Sequence, residues 1–136
     1  MTVTRPLDGI RVLIVDDHRD TLDLLSMTLS SRGATVQVAA MAHEALAILG
    51  AFRPHVLVSD LAMPAVDGYA LIEKLRGMAA EQGGRTPALA VTANAYGPLL
   101  ERSLRMGFDE WLAKPVEPEQ FVQAVARLAK RGPAGG

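Results

Sequence analysis

The sequence predicts a doubly wound α/β domain, with five parallel strands in one sheet flanked on both faces by five helices. Three observations carry that prediction. Short aliphatic runs alternate along the chain with longer stretches of helical apolar spacing. The runs Arg11–Val15, Val56–Val58 and Ala88–Val91 are almost continuously apolar, as parallel strands buried on both faces are. The chain has 136 residues, 49% of them hydrophobic but only 4% aromatic. That suffices for one aliphatic core, and with no cysteine the core needs no disulfide.

Taken in order, Arg11 to Val15 forms the first strand and ends at Asp16-Asp17. Leu22, Leu25 and Leu29 then give a helical apolar face, stopped at Arg32-Gly33. Thr35 to Ala39 is a weaker second strand, and Ala42 to Phe52 a helix closed by Arg53-Pro54. Val56 to Val58 runs into Ser59-Asp60 as the third strand. The stretch from Leu61 to Gly68 holds turn chemistry in Met63-Pro64 and Asp67-Gly68. Helical spacing returns from Tyr69 to Arg76, and the polar, Gly-containing stretch 77–86 reads as a loop. Ala88 to Val91 is the fourth strand, ending at Thr92. Pro98 to Met106 is a helix capped by Gly107. The short fifth strand, Glu110 to Ala113, ends at Lys114-Pro115. Phe121 to Leu128 is the last helix, with Pro118 at its first turn. The packed domain is expected over residues 9–129, with 1–8 and 130–136 as flexible termini.

Charge excludes several function classes. Lys and Arg number 14 against 15 Asp and Glu, a net −1, and no basic run offers a nucleic-acid surface. The first nine residues lack a signal peptide's apolar stretch, and no apolar run reaches the about 18 residues of a membrane helix. A cytoplasmic protein with neither membrane nor nucleic acid as partner is the expectation.

In sheets of this kind ligands sit beyond the carboxyl ends of the strands. Those ends carry Asp16, Asp17, Asp60, Thr92 and Lys114. Three carboxylates in one cleft repel one another unless a cation lies among them, and hard oxygen ligands suit Mg²⁺. A lysine and a hydroxyl facing the metal are what a phosphoryl group requires, and a carboxylate can itself accept that group as an aspartyl phosphate.

The motifs LIVDD (Leu13 to Asp17), SDLAMPAVDG (Ser59 to Gly68), AVTAN (Ala90 to Asn94) and WLAKPV (Trp111 to Val116) stand at these strand ends. In that order they resemble the receiver domain of bacterial response regulators. The opening and closing segments are closest in character to receivers of hybrid sensor histidine kinases. The resemblance implies a flavodoxin-like strand order, 2-1-3-4-5. It implies Asp60 as phosphoacceptor, and Asp16, Asp17, Asp60 and the carbonyl of Ala62 as the Mg²⁺ shell. Thr92 and Lys114 would engage the phosphoryl group, and Thr92 with Trp111 would form the switch pair. It further implies a cis bond before Pro115 and a rate of phosphate loss tuned at Ala62 and Asn94. Partners would be a sensor histidine kinase or a histidine phosphotransfer protein, then a downstream protein. The chain would act as a monomer or a weak phosphorylation-dependent dimer, and as a switch rather than an enzyme.

Plainer readings exist for each residue. Asp16, Asp17 and Thr92 could cap helices, Asp60 could serve a turn, and Lys114 could be a solvated charge. The set together favours the phosphoryl site. Trp111 could be a packing residue. His18 reads as a surface loop histidine rather than a metal ligand, and His43 and His55 as surface or strand-entry residues. At the level of function, the alternative is a receiver-like interaction module that is never phosphorylated, although all five site residues are present. A hydrolase with an aspartyl nucleophile is disfavoured, because Leu61-Ala62 after Asp60 brings no second acid. Few residues follow Ala129, so no attached output domain is expected.

Overall fold

The structure is a computed structural model that describes residues 5–61, 68–93 and 96–132. Five parallel strands, β1 (Arg11–Val15), β2 (Thr35–Ala39), β3 (Val56–Asp60), β4 (Ala88–Thr92) and β5 (Glu110–Ala113), form one sheet. Its order is β2-β1-β3-β4-β5, the doubly wound order the sequence implies. The helices are α1 (Arg19–Ser30), α2 (Ala42–Phe52), α3 (Gly68–Arg76), α4 (Gly97–Met106) and α5 (Pro118–Arg131).

Successive strand residues point to opposite faces, so the sheet divides the core in two. Val12, Ile14, Val56, Val58, Leu89 and Val91 face α1 and α5, meeting Leu22, Leu25, Leu29, Phe121, Val125 and Leu128. Leu13, Val15, Leu57, Ala88 and Ala90 face the other way, onto Leu49, Leu71, Ile72, Leu75 and Phe108. Every residue of β3 and β4 is buried, which explains the apolar runs Val56–Val58 and Ala88–Val91 that precede their polar ends. β2 and β5 are the edges, and their partly exposed residues explain why they read more weakly.

Several element bounds differ from the sequence reading, most by a single residue. α1 begins at Arg19, before its first apolar contact at Leu22. α5 begins at Pro118, because Glu117 caps it by accepting from the N–H groups of Glu119 and Gln120. The loop expected over 77–86 contains a short 3₁₀ turn, Ala80–Gln82. The packed unit also reaches slightly beyond 9–129 at each end. Leu7 is fully buried and its N–H donates to Arg32 O, while α5 runs to Arg131.

The amino rim of the sheet is closed by polar contacts. Arg11 Nε donates to the carbonyls of Phe52 and Arg53 at the end of α2. Arg11 N–H donates to His55 Nδ1 at 2.9 Å, so His55 stands at a strand entry as read. Burial, and then the charge of Arg11, hold the His55 pKa below the usual imidazole range. The folded state therefore resists a proton that the unfolded chain accepts. Stability is complete above the unfolded pKa of about 6.5 and declines as the pH falls below it. His55→Asn keeps an acceptor for Arg11 but cannot titrate. Urea unfolding from pH 7 to 5 is expected to show a shallower decline for His55→Asn than for wild type. Parallel curves would remove His55 as the cause.

Candidate phosphoryl and cation site

Register brings the acidic residues together. Val15 pairs with Ser59, so Asp16 and Asp60 leave adjacent strands side by side. Asp60 pairs with Val91, and Thr92 with Ala113, which places Lys114 next along the same rim. Lys114 N–H donates to Thr92 O at 2.8 Å, and the Lys114–Pro115 bond is cis, as expected.

Asp16, Asp60 and Thr92 are all at least 95% buried. Lys114 Nζ donates to Asp16 Oδ2 at 2.7 Å and to Asp60 Oδ2 at 3.3 Å. Burial works to lower the lysine pKa, but the Asp16 hydrogen bond and the charges of Asp60 and Asp16 outweigh it. The net result is a pKa held above the usual lysine value. The solvated-charge reading of Lys114 therefore does not describe this side chain. Asp16 does not cap α1: its Oδ1 accepts from the N–H of His18, the residue before the helix, at 2.9 Å, a local turn bond.

The donor set fits a divalent cation. One ligand atom from each of Asp16, Asp17, His18 and Asp60 lies within 4.8 Å of the others. Asp17 Oδ1 is buried and no hydrogen bond reaches it among the described residues. His18 Nδ1 lies 3.3 Å from that oxygen without hydrogen-bond alignment. A buried carboxylate oxygen left in that condition is costly unless a cation takes it. Asp16, Asp17 and Asp60 would hold Mg²⁺, and Lys114 balances part of their charge.

Of the residues expected at the site, Asp16, Asp17, Asp60, Thr92 and Lys114 share the carboxyl rim. Ala62 and Asn94 lie outside the described residues. Trp111 pairs with Ala90, one strand over and two residues back from Thr92, and is 39% exposed. His18 is on the surface as expected, and its ring stands at the carboxylates. Its place directly after Asp17, where the chain turns over the rim into α1, was the available signal.

A doubly wound sheet that gathers carboxylates, a lysine and a threonine at its carboxyl rim is the arrangement the motifs of a receiver domain lead one to expect. Residues 12–126 match the response regulator receiver domain, and the chain belongs to that family. It is 44% identical over 114 residues to an uncharacterised 14.6 kDa protein of Leptolyngbya boryana, covering 84% of this chain and 86% of that one. It is 37% identical over 115 residues to the Regulator of RpoS of Escherichia coli, covering 85% of this chain but 33% of that protein. A solved receiver domain of a Pseudomonas aeruginosa sensor histidine kinase superposes with a TM-score of 0.81 at 28% identity. That likeness covers 90% of this chain and 98% of the other, whose active-site cleft holds a coordinated magnesium ion. Receiver domains are signalling switches rather than enzymes of metabolism. Among the described residues, no helix is long and apolar enough to cross a membrane.

Proposed function

We propose that this chain accepts a phosphoryl group on Asp60 from the phosphohistidine of a sensor histidine kinase or a histidine phosphotransfer protein. The observation that carries the reading is the rim itself: Asp60 is buried beside Asp16, within reach of Lys114 and next to the strand that ends in Thr92. A carboxylate oxygen of Asp60 forms the new P–O bond while the P–N bond to the donor imidazole breaks. The electron pair leaves with the imidazole nitrogen. Mg²⁺, when bound by Asp16, Asp17 and Asp60 with the Ala62 carbonyl, supplies charge neutralisation for the phosphoryl oxygens. Lys114 is a flexible point charge already at Asp60, suited to following a group that comes and goes.

Added charge at Asp60 draws Lys114 and the Thr92 hydroxyl toward the phosphoryl oxygens and shifts the populations of the α4–β5–α5 face. Exposed apolar side chains on that side, Leu104 and Trp111, supply material for a partner contact. Output is then a changed protein contact in the cytoplasm, made by a monomer or a weak phosphorylation-dependent dimer.

The test is intact-mass measurement after incubation with a small-molecule phosphodonor, with and without Mg²⁺. Wild type is expected to gain one phosphoryl group in the presence of Mg²⁺, and Asp60→Asn none. Equal uptake by Asp60→Asn would place the acceptor elsewhere. No uptake from either the small donor or a phosphorylated histidine protein, with Mg²⁺ bound, would favour an interaction module that is not phosphorylated.

A further inference from the structure

We propose that His18 is an additional ligand of the cation site, so that the site binds imidazole-preferring divalent metals more tightly than carboxylates alone would. The inference rests on the cation reading of Asp16, Asp17 and Asp60 given above. His18 Nδ1 lies 3.3 Å from Asp16 Oδ1 and 3.3 Å from Asp17 Oδ1. Neighbouring ligands of an octahedral ion with bonds near 2.1 Å stand about 3.0 Å apart. The ring nitrogen is therefore close to where a ligand adjacent to both carboxylates belongs, before any ion draws the three together. The second of those oxygens is the one no hydrogen bond satisfies.

The backbone fixes this placement. His18 is the N-cap of α1, with extended φ and ψ of −92° and 112°, and its side chain caps nothing. Its N–H is held by Asp16 Oδ1 at 2.9 Å, which ties the residue to the acidic pair. The side chain is 67% exposed. A cation held there would keep positions open to water and to a phosphoryl oxygen. A neutral imidazole among carboxylates raises affinity for Mn²⁺, Co²⁺, Ni²⁺ and Zn²⁺ more than for Mg²⁺. This chain would accordingly accept transition metals in a site otherwise suited to magnesium.

The plainer account is that His18 hydrogen-bonds Asp16 and nothing more. His18→Asn separates the two, because an amide keeps a hydrogen-bonding group near the Nδ1 position and removes the nitrogen ligand. Calorimetric titrations of the full chain with Ni²⁺ and with Mg²⁺ at neutral pH supply the first readout. Ni²⁺ binding is expected to weaken by at least ~10-fold in His18→Asn, while Mg²⁺ binding stays within about twofold. The second readout is electron spin-echo modulation of bound Mn²⁺, expected to show a coordinated imidazole ¹⁴N in wild type and none in His18→Asn. Equal Ni²⁺ affinity in the two proteins, or an unchanged ¹⁴N signal, overturns the role of His18 and leaves the cation site standing. If wild type binds neither metal, or Asp17→Asn binds both undiminished, the cation reading fails as well.

Discussion

Lys114→Met is expected to destabilise the protein by about 3 kcal/mol, lowering its melting temperature by roughly 10 °C. Methionine preserves the length and flexibility of the side chain, so lost packing contributes little. What disappears is the cation that faces both Asp16 and Asp60, at 2.7 and 3.3 Å. Those carboxyl side chains are 2% and 6% exposed, too little for water to replace the lysine. Removing one partner of a buried charge pair is costly because the other charge stays buried. The double variant Lys114→Met, Asp60→Asn is expected to regain part of the loss, since one of the two buried carboxylates that faced the lysine no longer carries charge. Mg²⁺ should stabilise Lys114→Met more than wild type, because without the lysine the cation meets a site of more negative charge. Urea unfolding at pH 7 with a chelator present, then with Mg²⁺, measures all three. Wild-type stability in Lys114→Met would mean that the lysine does not neutralise this cluster.

The sign of the lysine shift sets where its contribution holds. The folded pKa is raised, so the stabilisation is complete below the unfolded value of about 10.4. It is lost only as the pH climbs through the higher folded value. Across the neutral range, Lys114 contributes a constant.

The sheet was legible because β3 and β4 are buried on both faces and so read as apolar runs up to their polar carboxyl ends. The helix starts were less so. The first turns of α1 and α5 are polar and exposed, and periodicity registers a helix only where its apolar face begins. Asp16, Asp60, Thr92 and Lys114 could be picked out because parallel strands deliver their carboxyl ends to one rim. The bond from Lys114 to Asp16 could not be read, as it joins residues 98 positions apart through side-chain geometry that no local pattern encodes. The approach of the His18 ring to the acidic pair could not be read for a related reason. A histidine after two aspartates is ordinary in sequence, and its ring direction follows from the turn into α1. Trp111 could be placed on β5 from its motif, but its exposure depends on β5 being an edge.

Gly68→Ala is expected to cost about 2–3 kcal/mol and to slow phosphoryl uptake by the molecules that remain folded. Gly68 opens α3, and its N–H donates to Leu61 O at 2.8 Å. A Cβ there would stand 2.2 Å from Asp60 O, 2.8 Å from Leu61 Cα and 3.0 Å from Asp60 C. All three are backbone atoms, with no side-chain rotation to relieve the overlap. Either α3 must back away from the end of β3 or the peptide after Asp60 must turn. In both cases the acceptor carboxylate moves relative to Lys114 and Asp16, and displacements of about 1 Å are enough to weaken a positioned reaction by roughly 100-fold. Gly50→Ala is the control. Gly50 lies within α2 with nothing within 4 Å of its would-be Cβ, so alanine there is expected to stabilise by up to about 1 kcal/mol. Urea midpoints for both variants, paired with the rate of mass gain from a phosphodonor, test the argument. If Gly68→Ala matches Gly50→Ala in both, α3 does not pack against the acceptor backbone as closely as these distances state. If stability falls while uptake is unchanged, the approach supports the fold without positioning Asp60. A loss in both ties the entry of α3 to the placement of the acceptor.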